Sequence, residues 1–283
     1  MSTAFAPGKC ILFGEHAVVY GHPAVAVSID SGVEITIEES EDWEINNQYN
    51  TDGFEKFNPK KHPHIQHIIK DLFEYEGKPL RINVQSNLFS GAGLGSSAAL
   101  SNAMGAALHQ FTKPDKEIDL IKLSKIGHSA EAATQEGRAS PTDSAASSLG
   151  GCVVVSGERI DTLQHVFDTS LVTPEGKRSW SIHHAELHKN INQSWLVLGF
   201  TGQSSPTGKM VSGVAERLKK NHDLYQEMKS IENITIAGLT ALKAGNLEAV
   251  GIAMNSCHEK LKILGVSNEL LDLMVSATRQ HSF

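Results

Sequence analysis

Ser90-Gly91-Ala92-Gly93-Leu94-Gly95-Ser96-Ser97-Ala98-Ala99-Leu100 is the stretch on which the reading of this chain turns. Three glycines at alternate positions let the backbone take positive φ and approach a ligand closely. Ser96 or Ser97 is suited to cap a helix, which the alanines and leucine then propagate. A glycine-rich turn that opens a helix aims free N–H groups and the positive end of the helix dipole at an anion, most often phosphate. The run is not a Walker A loop, because Gly95 is followed by Ser96 and not by Lys-Ser/Thr. Nor is it G-x-G-x-x-G with an acid about 20 residues on. A protein-kinase glycine loop would continue as a strand, whereas Ala98-Ala99-Leu100 favours helix. The plain alternative is a connector leading to a capped helix.

Working outward, 80–84 reads as the strand that delivers the chain to this loop, and 97–111 and 115–134 read as the helices that follow. Upstream, 10–13, 24–29 and 33–37 read as strands, with Asp30-Ser31-Gly32 as a turn between the last two. Residues 40–63 are polar and read as a surface excursion. The apolar spacing of Ile65, Ile68, Ile69, Leu72 and Phe73 predicts an amphipathic helix over 64–75. Downstream, 144–149 is a short helix and 151–156 a buried strand, with Val153, Val154 and Val155 consecutive. Residues 157–193 read as irregular strands and a domain junction, and 195–200 as an apolar strand. Helices are expected over 207–218, 224–244, 247–261 and 268–278. Strands and helices mix without strict alternation, so the fold class is α+β and not a doubly wound sheet.

At 283 residues, 40% hydrophobic and 20% charged, the chain is long enough for two cores. A formal net charge of -7 argues against a nucleic-acid partner. No apolar run reaches a membrane span, and no secretory leader is evident at the start. Cys10, Cys152 and Cys257 are far apart and odd in number, which fits a reducing cytoplasm better than a disulfide frame or zinc site. Among fourteen histidines, His62, His64 and His67 cluster; on a helix His64 and His67 would share a face, but no carboxylate or third ligand completes a metal spacing. They read as a solvated helix start, and His183, His184 and His188 are read the same way.

Four other segments look chemical. Ala6-Pro7-Gly8-Lys9 leads through an apolar run to Gly14-Glu15-His16-Ala17-Val18-Val19-Tyr20-Gly21. Lys9 is either a snorkelling edge residue or part of a site, and Glu15-His16 falls where ligand-facing loops emerge. Glu131 lies among alanines; it is either exposed or holds a cation, since Mg²⁺ favours one or two carboxylates plus phosphate oxygens. Asp143, in Ala139-Ser140-Pro141-Thr142-Asp143, is either an N-cap or a base held at a helix start. Thr207 follows Thr201-Gly202-Gln203-Ser204-Ser205-Pro206, which opens a second anion-friendly helix; capping alone also explains it.

Together these segments resemble the GHMP kinase superfamily, and within it the archaeal-type mevalonate kinases, over residues 4 to about 280. Gly-Glu-His-Ala-Val-Val-Tyr-Gly is the specific part, while the glycine loop alone marks the superfamily. The resemblance implies two domains, a mixed-sheet unit over 1–190 and a helix-rich, ferredoxin-like unit over 191–283, with the active site in the cleft between them. It implies ATP-dependent phosphorylation of the 5-hydroxyl of mevalonate. Close alternatives are phosphomevalonate, a sugar or homoserine as acceptor, and a more distant one is a silent nucleotide-binding sensor. By position, Asp143 would be the base with Lys9 beside it. Gly91, Ala92, Gly93, Leu94, Gly95, Ser96, Ser97 and Ala98 would wrap the ATP phosphates. Ser97 and Glu131 would hold Mg²⁺, and Glu15, His16 and Thr207 would line the mevalonate end together with Lys9 and Asp143. A homodimer is left open.

Two departures stand out. The family continues into a Gly-Ala-Gly-Gly-Gly-Gly segment that supports the site, and this chain as written stops at Ser282-Phe283. Gln135-Glu136-Gly137-Arg138 adds charge ahead of the base, with an expected effect on substrate fit.

Overall fold

The computed structural model describes residues 1–47, 53–89, 91–135, 137, 139–173, 176–204 and 207–280, with backbone only for 47, 192 and 207. Its frame is a mixed sheet built on one long strand. β2 (Ala24–Glu39) pairs antiparallel with β1 (Ser2–Phe13) along one edge. On its other edge it pairs in succession with β6 (Cys152–Ser156) over Ala24 to Val27 and with β5 (Leu80–Ser86) over Val33 to Glu39. β3 (Glu44–Asn47) runs parallel to β5 and carries the short β4 (Glu55–Lys56). Beyond β6 lie β8 (Gly176–His184) and then β7 (Gln164–Thr173).

The expected turn at Asp30-Ser31-Gly32 is continuous strand. Gly32 is a point of close approach instead, because a Cβ there would run into the Ala6 carbonyl of β1. The polar 40–63 stretch is not wholly a surface excursion, since Ile45 pairs with Ile82 and is fully enclosed. The 157–193 region forms an ordered antiparallel pair, anchored by buried Trp180 and Ile182. These errors share a cause: β-pairing across distant segments overrides local turn and polarity signals.

One face of the sheet is covered by α1 (Pro63–His67), α2 (Ser96–Thr112), α3 (Leu120–Thr134) and α4 (Thr142–Leu149). The first continues as a π turn through Leu72, so the predicted amphipathic helix is present. Ala99, Ala103 and Ala107 of α2 are fully buried with Val33, Ile35, Ile37 and Ile82. Small side chains here let the helix sit close to the sheet, which fixes the height of the loop at its start. α3 begins at Leu120 rather than near 115, because the Asp119 carboxylate accepts from the Ile121 and Lys122 N–H groups and caps it.

The later part of the chain carries the helices α5 (Lys189–Asn192), α6 (Thr207–Lys220), α7 (Leu224–Ala244), α8 (Leu247–Ile263) and α9 (Glu269–Gln280). α7 packs on the sheet through Leu239 and Leu242, beside Phe13 and Val25. Gly238 permits this, since a Cβ there would stand 2.6 Å from the Phe13 ring. The strand expected over 195–200 is not formed. Trp195 is 94% and Val197 88% exposed, and the segment pairs with no strand among the described residues. An apolar run without a ladder partner leaves its N–H and C=O groups to water.

Candidate active site

β1 carries Lys9 inward until it is 6% exposed. Its Nζ donates to the Gly93 carbonyl at 2.8 Å and lies 3.1 Å from Asp143 Oδ1. Its backbone N–H donates to the Leu94 carbonyl at 2.9 Å. The strand and the glycine loop are therefore laced together at one residue. Gly8 is required beside it, because a Cβ there would sit 2.8 Å from the Leu94 carbonyl oxygen. A buried ammonium needs compensation, and Asp143 supplies it. Lys9 is thus buried and paired, and not a snorkelling edge residue.

In the loop, Gly91, Gly93 and Gly95 have φ of 69°, 75° and 71°, a region that L side chains adopt at a cost. Gly95, not a serine, is the residue before α2, and no side chain caps the helix. Ser96 and Ser97 are instead its first residues, and the first helical bond runs from Ala99 N–H to Gly95 O. The N–H groups of Ser96, Ser97 and Ala98 thus form the open first turn, which a serine cap would have closed. Ala98 contributes through its backbone, since its side chain is fully buried. Ser90 lies outside the described residues.

Ser97 Oγ donates to Glu131 Oε1 at 2.9 Å, which joins α2 to α3. Glu131 is 3% exposed, so it is enclosed and not merely tolerated among alanines. Burial first, and then the Asp143 charge, push its carboxyl well above the usual range, while the Ser97 bond and Lys9 pull it down. Asp143 sits in the first turn of α4, where Pro141 occupies the cap position. Its carboxylate faces Lys9 and does not cap the helix.

The other end of the site follows β1. His16 takes φ 61° and ψ -46°, a strained geometry for a residue with a Cβ, at the start of the 3₁₀ turn Ala17–Tyr20. Burial lowers the His16 pKa to about 4, so the ring is neutral at pH 7. Enclosure raises the Glu15 carboxyl above its ordinary range, against the pull of a bond from Cys257 Sγ on α8, 3.7 Å from Oε2. Lys9, Glu15, His16, Glu131, Asp143 and the loop from Gly91 to Ser97 line one cavity of about 500 Å³. Val18, Val19 and Val211 give it an apolar wall.

Thr207 opens α6, but its side chain lies outside the described residues, as do Glu136, Arg138, Ser205 and Pro206. His64 was not foreseen in the site. It lines the cavity, is largely buried, and bonds to Thr134 Oγ1 at 2.9 Å, one turn beyond Glu131. His183 is fully buried rather than solvated; its Nε2 accepts from the Ile160 N–H. Both are placed by long-range contacts that carry no spacing signal in sequence.

The cavity is lined by the glycine loop that leads to the open first turn of α2, by a lysine–carboxylate pair and by a buried carboxylate–hydroxyl pair, groups of the kinds that take phosphate oxygens and a divalent cation. The family model for the GHMP kinases N terminal domain matches residues 63–151, which includes the loop, Glu131 and Asp143. The mevalonate kinase of Methanothermobacter thermautotrophicus is 32% identical over 281 residues, 98% of this chain and 83% of that protein. The mevalonate kinase of Archaeoglobus fulgidus is 29% identical over 96% of this chain and 83% of its own length. Among solved structures, the Methanococcus jannaschii mevalonate kinase superposes with a TM-score of 0.68 at 24% identity, covering 98% of this chain and 84% of that one. The L. major mevalonate kinase in complex with R-mevalonate gives 0.70 at 18% identity, covering 100% and 81%. The fold is thus the two-domain GHMP kinase fold, and the chain belongs to the GHMP kinases, within them to the archaeal-type mevalonate kinases.

Proposed function

We propose that this chain transfers the γ-phosphoryl group of ATP to the primary 5-hydroxyl of mevalonate, giving 5-phosphomevalonate and ADP. The supporting observation is the 3.1 Å pairing of Lys9 with Asp143 on the floor of a cavity whose roof is the amide loop. Residues 1–190 would supply the phosphate side and 191–283 a second unit closing over the acceptor.

The residues fit Mg²⁺. Ser97 and Glu131 offer hard oxygen donors, and a buried carboxylate with little compensation favours a cation. No cluster of three His, Cys, Asp or Glu exists among the described residues, which suits a metal completed by phosphate oxygens and water. When bound, the ion would neutralise phosphate charge.

The chain's own residues do the rest. The N–H groups of Ser96, Ser97 and Ala98 orient the phosphates. Asp143 takes the proton of the acceptor hydroxyl as its oxygen bonds to the γ-phosphorus and the bond to the β–γ bridging oxygen breaks. Lys9 offsets charge that develops during transfer. Glu15, His16 and the valine wall receive the acceptor's remaining groups. Among the described residues no helix is long and apolar enough to cross a membrane.

The test is ADP release with a panel of alcohols: mevalonate, phosphomevalonate, galactose and homoserine. Turnover dependent on mevalonate is expected. Turnover with another member of the panel and none with mevalonate would refute the assignment.

A further inference from the structure

The base-bearing segment is gripped on both sides of Asp143 by two buried polar side chains that do not line the cavity. His128, 4% exposed on α3, has its Nε2 3.0 Å from the Ala139 carbonyl. A carbonyl only accepts, so this nitrogen carries the proton. Asn102, fully buried on α2, donates from Nδ2 to the Ser144 carbonyl at 2.9 Å. Asp143 lies between those two anchor points. The anchoring helices are the ones that carry Ser97, five residues before Asn102, and Glu131, three residues after His128.

Folding stability alone does not account for this arrangement. Asn102 Oδ1 is buried and has no hydrogen-bond partner among the described residues. An apolar side chain of the same shape would escape that desolvation penalty. Gly127 makes the close fit possible, because a Cβ there would run into Asn102 Oδ1. Ser144 lies within α4, so its carbonyl keeps its place in the helical ladder without Asn102. The His128 anchor also extends toward the acceptor side. Its ring meets the edge of Trp180 with centroids 5.7 Å apart at 82°, and Trp180 Nε1 donates to Val18 O at 2.9 Å. Val18 lies two residues after His16 and closes the Glu15-His16 bend, its N–H donating to Gly14 O.

We infer that Asn102 and His128 are positioning residues that hold Asp143 at a fixed distance from the Ser97–Glu131 cation pair. This rests on the proposed phosphotransfer. Neither residue touches a reactant; each acts through the backbone next to the base. Two helices bearing metal ligands are thereby pinned to the turn bearing the base.

The test uses the full chain with His128→Phe, Asn102→Leu and the donor-retaining His128→Gln. Misplacing a base by about 1 Å costs up to about 100-fold. The expected result is a fall in kcat of roughly 10- to 100-fold for Phe and Leu, with KM for ATP and Mg²⁺–nucleotide affinity held within about threefold, and most of kcat restored in Gln. Hydrogen exchange of the amides over 139–149 should rise in the first two variants and not at the start of α2. Turnover within about twofold of the parent, or unchanged exchange over 139–149, would overturn the inference. Should His128→Phe not fold, Asn102→Leu decides alone. Should the parent chain phosphorylate no alcohol, the proposed function falls, and the exchange result by itself still decides this inference.

Discussion

Lys9 and Asp143, 134 positions apart in sequence, meet at 3.1 Å, and the same lysine holds the Gly93 carbonyl at 2.8 Å. One ammonium thus ties the first turn of α4 to the glycine loop.

Asp143→Asn keeps the shape and removes the proton acceptor. Turnover should drop by roughly 10²–10⁴, while nucleotide binding stays near its original value because Asp143 forms none of the loop. Calorimetric titration with ATP alongside ADP-release kinetics checks both. Near-normal turnover would take Asp143 out of the mechanism.

Gly95→Ala places a methyl 2.9 Å from Lys9 Cγ at a backbone φ of 71°. Strain in the loop and displacement of Lys9 should together cost about 1–3 kcal/mol of stability. KM for ATP should rise with it. A thermal melt and a KM determination give the answer; a variant with unchanged melting and KM would show that the loop tolerates a side chain.

Ser97→Ala removes the hydroxyl that bonds Glu131 Oε1 at 2.9 Å. The Glu131 carboxylate loses this donor, and the proposed cation site loses a ligand. The Mg²⁺ concentration for half-maximal turnover should increase by about 10- to 100-fold. Titration of activity with Mg²⁺ at saturating ATP measures it, and an unshifted midpoint would contradict the assignment.

The raised Glu131 carboxyl has a pH signature in the absence of metal. Its folded-state pKa lies above the ordinary value of 4.5, so between the two the native state binds more protons than the unfolded state. Stability from this group is therefore full below the unfolded pKa and declines as pH rises toward the folded one. Glu15 acts in the same sense. His16, lowered to about 4, acts oppositely between there and its unfolded value. The difference between parent and Glu131→Gln isolates the first effect: the melting temperature of the parent should fall relative to the variant on going from pH 5 to pH 8. Mg²⁺ with nucleotide should shrink that difference. Parallel pH profiles would show that Glu131 is not strained by burial.

The glycine loop, the helix after it and two of the carboxylates were legible because each follows from local chemistry: positive φ, helix propensity, an acid at a helix start in Asp143 and an acid among alanines in Glu131. The 195–200 segment was misread because an apolar run of six is as consistent with a strand as with a chain left facing water. His64 was set aside as a solvated helix start. Its place in the cavity depends on Thr134, seventy residues away. Asp119 rather than Asp115 starts α3 because both suit a cap and only one has the geometry to accept two N–H groups.

By itself, the order of residues determined the parts: a loop that can take three left-handed glycines, a helix of small residues behind it, and a lysine, two carboxylates and a hydroxyl held in reserve. Only the tertiary structure decided what those parts do together. Burying Lys9 and Glu131 makes an unpaired charge costly, so the fold brings Asp143 and the Gly93 carbonyl to Lys9, and the Ser97 hydroxyl to Glu131. Local sequence sets conformational preference, but electrostatic compensation acts through space, and which distant groups share that space is settled by strand pairing and helix packing.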